Sequence, residues 1–193
     1  MCKSKNIITI EKIAKTKKKI VSIGIRLNPN TDAKTLSQIS TGKKEDKFGI
    51  TEKSFLELVK YVNKSNFLNL KCLSVHIGSQ IIDHGPYEKM LNIVDKIIKK
   101  SKYIFDYIDL GGGMGISYTN KSKKLNYKKY DKAIKKFLKK NKTKIIFEPG
   151  RSIIGDVGIL IAKIIYIKET NKKKFIILDA GMNDLMRPAL YGS

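Results

Sequence analysis

Residues 107–118 read "YIDLGGGMGISY": an apolar run that stops at three consecutive glycines. The run predicts a strand. The triplet marks its end, because a residue without Cβ takes backbone angles and close approaches that no other residue tolerates. Upstream, "PYEKMLNIVDKIIKKSK" (86–102) repeats Tyr87, Met90, Leu91, Val94, Ile97 and Ile98 at helical spacing, with Pro86 in the first turn. Downstream, "NYKKYDKAIKKFLKKN" (126–141) predicts another helix. The pattern extends outward. "IVSIGIRLN" (20–28) predicts a strand that ends at Pro29, and "TEKSFLELVKYVNKS" (51–65) a helix with Phe55, Leu58, Val59 and Val62 on one stripe. "CLSVHIGS" (72–79) and "KIIFEPGR" (144–151) predict two further strands. Strands and helices that alternate in this way are βα units around a parallel sheet.

After Arg151 the rhythm changes. "VGILIAKIIYIKET" (157–170) and "KFIILDAG" (174–181) are both strand-like, with only "NKKK" between them. No helix fits in that gap, so the two strands are expected to be antiparallel. The expected organisation is a parallel α/β region over 1–155 that passes into a β region over 156–193.

The 193 residues carry a formal net charge of +23, which tempts toward nucleic acid. Yet of 40 cationic residues only Arg26, Arg151 and Arg187 are arginine. A surface that grips phosphate backbones recruits the bidentate guanidinium fork. Lysine clusters such as "KTKKK" and "KKFLKKN" instead read as solvated helix faces and loops, so no nucleic-acid partner is expected. Cys2 and Cys72 have no disulfide or metal-ligand spacing, and no metal is expected. The first residues lack the apolar core of a signal peptide and no long apolar run occurs, so the expected compartment is the cytoplasm, with no membrane partner.

Three strands end in unusual residues at the same carboxyl-terminal edge: "HIGSQ", "DLGGGMGISY" and "FEPGR". In a parallel α/β sheet that edge carries the ligand site. The glycine triplet is either a tight turn or a cradle whose N–H groups approach an anion, with a following helix adding its positive end. A dinucleotide fingerprint fails on register, since Ile116 or Tyr118 stands where its last glycine belongs. His76 is either a hydrogen-bonded core residue or a site residue, with Ser79 three positions on as an anion donor. His84 receives no role. Glu148, at the end of a strand expected to be buried, is protonated, paired with Arg151 or opposed to a ligand cation.

In order and spacing, "HIGSQ", "DLGGGMGISY", "FEPGR" and "LDAGMNDLMRPALYG" resemble the pyridoxal-phosphate-dependent decarboxylases with an alanine-racemase-like barrel. Within that family the likeness is to the branch that converts meso-2,6-diaminopimelate to L-lysine. "NPNTDAKTLSQISTGKKEDKFGI" (28–50) is similar to the loop after an earlier barrel strand. The resemblance implies pyridoxal 5'-phosphate as cofactor and the second half of a TIM-type (β/α) barrel leading into a C-terminal β domain. It implies that His76 stacks on the cofactor ring. Ser79 and the turn Gly111, Gly112 and chiefly Gly113 would hold the phosphate. Glu148 would meet the pyridine nitrogen, with Pro149, Gly150 and Arg151 completing the site. Arg151, Arg187 and Tyr191 would bind substrate carboxylates, and Arg26 reads as structural. The chemistry implied is loss of carbon dioxide through an imine and a carbanion that the protonated ring stabilises.

The departures count as well. The family's Schiff-base lysine lies in an early Tyr-x-x-Lys-Ala-like segment, and nothing before "IVSIGIRLN" matches it. The resemblance therefore leaves no catalytic residue assigned and is to the middle of a longer enzyme, homodimeric in the family. These residues by themselves are expected to be inactive. The alternatives are a related decarboxylase acting on carboxynorspermidine or a basic amino acid, and a non-catalytic relic that binds pyridoxal phosphate.

Overall fold

In the computed structural model, the described residues are 2–33, 41–43, 47–118 and 124–191. The elements run α1 (Cys2–Thr16), β1 (Val21–Arg26), α2 (Glu52–Val62), β2 (Leu68–Ser74), α3 (Gly85–Ser101), β3 (Tyr107–Asp109), α4 (Tyr127–Leu138), β4 (Lys144–Ile146), α5 (Arg151–Ile154), β5 (Ile164–Glu169), β6 (Lys174–Leu178) and α6 (Arg187–Tyr191). The first four strands pair in parallel in the order β1-β2-β3-β4, as the alternation predicts. β5 and β6 form a separate antiparallel pair, also as expected.

Local chemistry fixes the helices. Thr51 caps α2 by accepting a hydrogen bond from the Ser54 N–H, and Asn126 caps α4 by accepting from Lys129. α3 carries Pro86 in its first turn and ends where Lys102 turns left-handed at φ 51°. The predicted stripe of α2 is buried, and so is that of α3 except for half-buried Ile98. These side chains meet Leu68, Leu70, Leu73, Val75, Ile108 and Leu110 of the sheet in one core. Burying each large apolar side chain contributes about 1.5–3 kcal/mol.

Side chains alternate across a strand. With Leu73, Val75, Ile108 and Leu110 turned to the helices, Ser74, His76 and Asp109 are left on the other face. Register places Arg26 beside Ser74, Ser74 beside Asp109 and Asp109 beside Ile146. A polar row of Arg26, Ser74 and Asp109 therefore crosses the carboxyl-terminal edge of the sheet.

The structure departs from the sequence reading in several places. The strand expected over 72–79 instead runs from Leu68 to Ser74. "LNL" already alternates in burial, while Gly78 (φ 149°) and Gln80 (φ 59°) leave the extended region. The glycine triplet lies wholly outside β3, and β5 begins only at Ile164. α1 was not anticipated, although Ile7, Ile10 and Ala14 recur at helical spacing and turn inward. No described helix is long and apolar enough to cross a membrane.

Candidate active site

The polar row is wired together by its own backbone. Asp109 accepts from the Ser74 hydroxyl at 2.8 Å through Oδ2 and from the Gly111 N–H at 2.8 Å through Oδ1. The Gly112 N–H donates to His76 Nδ1 at 3.2 Å. An imidazole nitrogen that accepts an N–H carries no proton, so the remaining ring proton belongs on Nε2. Burial, and then the nearby Arg26 guanidinium, depress the His76 pKa below its ordinary value, with Asp109 opposing. The ring is thus a neutral, half-buried imidazole.

Arg26 reaches the same place. Its Nη2 donates to the His76 carbonyl at 3.4 Å, and its guanidinium lies 5.0 Å from the centre of the Phe48 ring. Burial lowers its pKa, while the carboxylates of Glu148 and Asp109 pull the other way. Read from sequence, Arg26 has only a structural part and Asp109 is not singled out. Their signal was the matching position of each at the end of its strand.

The glycine triplet is where three loops come closest. A Cβ on Gly111, whose φ is +67°, would meet His76 Nδ1 at 2.5 Å. On Gly112 it would stand 2.0 Å from the Glu148 carbonyl oxygen, and on Gly113 (φ +85°) 2.0 Å from that of Gly78. Gly111 and Gly112 spend their N–H groups inside the protein, on Asp109 and His76. The buried Tyr87 hydroxyl donates to the Gly112 carbonyl at 3.1 Å and braces the triplet from the helix side. The following helix, α4, begins at Tyr127 and not directly at the turn: residues 115–118 are irregular, and Met114 bridges to Ile81. That bridge, with Ile81 N–H to the Gly113 carbonyl at 2.9 Å, holds Gly78 and Ile81, the residues that bracket half-buried Ser79 and Gln80, against the triplet.

Glu148 is exposed, contrary to the expectation of a buried strand end. Its strand β4 is three residues long and, among the described residues, lies at the edge of the sheet. The Glu148 N–H donates to the Gly111 carbonyl at 2.9 Å and carries the ladder past β4. Among the described residues no ion pair joins Glu148 to Arg151. Arg151, first residue of α5, instead donates through Nη1 to Gln80 Oε1 at 2.9 Å. Gln80 also donates to the Ile116 carbonyl at 2.6 Å and accepts from its N–H at 3.3 Å, so one amide ties three loops.

Tyr118 lies just beyond that tie. The Arg187 guanidinium is 4.4 Å from its ring centre and that of Arg151 is 6.0 Å away. The structure thus gathers Arg151 and Arg187 with Gln80 and Tyr118, and His76 with Gly111, Gly112 and Glu148. Pro149 and Gly150 are exposed on the corner between the groups. Tyr191 closes α6, and its side chain lies outside those described. Sequence reasoning missed Gln80 and Tyr118, though both stood inside the quoted motifs.

Comparison with known proteins gives a consistent picture. Residues 1–155 match the family model described as "Pyridoxal-dependent decarboxylase, pyridoxal binding domain". The chain is similar to a diaminopimelate decarboxylase of Helicobacter pylori, 44% identical over 188 residues, which is 95% of this chain and 46% of that protein. It is likewise 40% identical to one from Aquifex aeolicus, over 89% of this chain and 41% of the relative. Among solved structures, the Helicobacter pylori diaminopimelate decarboxylase complexed with L-lysine superposes with a TM-score of 0.90. The identity there is 41%, over 97% of this chain and 48% of that one. The chain spans about half the length of the curated relatives it matches.

Proposed function

This chain belongs to the pyridoxal-dependent decarboxylases, and on that premise we propose that its rim supplies part of a site where meso-2,6-diaminopimelate loses carbon dioxide to give L-lysine. One observation carries the reading. Gly112 donates its N–H to the His76 ring, and its missing Cβ leaves room for the Glu148 carbonyl, so an imidazole and a carboxylate-bearing residue flank a single glycine. The names of the similar proteins support the substrate, and the lysine held in one of them supports the product.

The residues fit pyridoxal phosphate. A neutral imidazole offers a flat π face to an aromatic ring without adding charge beside a cationic heterocycle. Glu148 would keep a proton on the ring nitrogen. Ser79 and Gly113 would hold the phosphate, while Gly111 and Gly112 keep the rim in shape. Arg151 and Arg187, with Tyr191, would bind substrate carboxylates and so select an amino acid over a simple diamine. When bound, the cofactor supplies the electron sink for the broken carbon–carbon bond; the protein supplies orientation and charge. The division near residue 155 belongs to this reading, supported by the extent of the family match.

The test is titration with pyridoxal phosphate, followed by the coenzyme's absorbance, for the wild type, His76→Ala, Ser79→Ala and Glu148→Gln, with Lys168→Ala on the remote strand β5 as control. Weaker binding in the three rim variants alone supports the proposal. Binding indifferent to all of them removes it. The 193 residues alone are expected to form no lysine from diaminopimelate, since none matches the family's attachment segment. Lysine detected by amino-acid analysis would overturn that expectation.

A further inference from the structure

Two guanidinium groups share one aromatic ring, in a chain that has only three arginines. Like charges repel, so two flexible arginine side chains left to themselves spread apart. The negative face of a phenol ring offsets that repulsion and holds a cation in place. Tyr118 follows directly on the stretch that Gln80 pins through both backbone groups of Ile116, and Gln80 also holds Arg151. The ring and one of its two cations are therefore anchored to the same amide.

We infer that Tyr118 is a positioning residue: its ring is the platform that keeps Arg151 and Arg187 together, arranged in advance for the carboxylate groups of a small dicarboxylate ligand. This rests on the proposed function for the ligand's identity, diaminopimelate, but not for the platform. Nothing in the arrangement requires Tyr118 to touch the ligand. Its contribution is to reduce the freedom that two long side chains lose on binding. The ring supplies this, and the hydroxyl does not, so phenylalanine should substitute and leucine should not.

Three arginines give three Nε–Hε cross peaks in a proton–nitrogen NMR spectrum. Ring current from Tyr118 should displace two of them upfield in the wild type. Tyr118→Leu should return both, Tyr118→Phe should leave both, and the Arg26 peak should stay still in each. A wild-type spectrum without two displaced peaks, which needs no variant to fold, overturns the inference. So do displaced peaks that Tyr118→Leu leaves unmoved. Titration with meso-2,6-diaminopimelate, and separately with malonate as a plain dicarboxylate, should perturb the same two peaks. Affinity should fall roughly three- to thirtyfold in Tyr118→Leu and by less than about twofold in Tyr118→Phe. Equal affinity of wild type and Tyr118→Leu for both probes overturns the positioning role. Malonate weakened by Tyr118→Leu, with diaminopimelate silent throughout, upholds the role and sinks the substrate instead.

Discussion

Adding one methyl group at each of three glycines separates two physical effects at the rim. At Gly112 the obstacle is purely steric: the new Cβ would stand 2.0 Å from the Glu148 carbonyl oxygen. An ordinary carbon–oxygen contact is about 3.3 Å or more, so a backbone segment must move by more than about 1 Å. Overpacking of this kind costs about 1–3 kcal/mol, and a backbone obstacle cannot swing aside as a side chain does. At Gly113 an equal contact with the Gly78 carbonyl is joined by a φ of +85°, and left-handed backbone costs an L-residue about 1–2 kcal/mol more. At Gly158 a Cβ meets nothing within 4 Å. The expected order of lost stability is therefore Gly158→Ala near zero, Gly112→Ala about 1–3 kcal/mol and Gly113→Ala about 2–5 kcal/mol. Urea unfolding followed by far-ultraviolet circular dichroism measures it, since the chain has no tryptophan. If Gly112→Ala unfolds at the same urea concentration as Gly158→Ala, the close approach of the two loops is wrong.

Three shorter predictions concern the supports of the site. Glu11 accepts hydrogen bonds from Ser65 at 2.5 Å and from Tyr61, and these lower its pKa below the ordinary 4.5. That stabilisation of α1 on α2 is present above 4.5 and lost as pH falls below it. The stability curves of wild type and Glu11→Gln should therefore converge in acid; parallel curves would show the carboxylate has no such role. Tyr87→Phe should cost about 0.5–1.5 kcal/mol in the same urea assay by removing the hydroxyl from the Gly112 carbonyl, and an unchanged midpoint would deny the brace. His76 should titrate below 6.5 by NMR and show an Nε2-bound proton. Its contribution to stability is likewise lost as pH falls below 6.5 toward the folded-state value. Arg26→Leu removes one depressing charge and should move the titration upward; a downward shift would contradict the geometry.

The sequence showed α2, α3 and α4 best because their signal is redundant. α3 spreads six apolar positions over about three turns, and α2 and α4 add a capping side chain each. Strand ends were harder to read, because hydrogen bonding past an end resembles the strand itself. Val75 and Glu148 still join the ladder, on Asp109 and Gly111, beyond the last residues of β2 and β4. The burial of Glu148 was misjudged because apolar residues in "KIIF" do not tell whether a strand is central or at an edge. The motifs marked the site by its ends, whereas Gln80 and Tyr118 act through distances that no linear spacing encodes. A glutamine reaches residue 116 and residue 151 only after two loops have closed on each other.

The separation of Glu148 from Arg151 is the consequence that matters most for chemistry. Three positions apart on a Pro-Gly corner, the two could have neutralised each other. The ladder bond from Glu148 to Gly111 holds the acid on the row of Asp109, His76 and Arg26. The turn that starts α5 sends the guanidinium the other way, where it finds an amide oxygen and not a carboxylate. An amide orients a cation without cancelling it. Arg151 therefore faces the Tyr118 ring together with Arg187, while the Glu148 carboxylate acts on the Arg26 guanidinium near His76. Under the proposed function, a protonated ring at one end and carboxylates at the other would call for opposite charges held apart within one short corner, which is how the Gly111 ladder bond and the turn into α5 dispose Glu148 and Arg151.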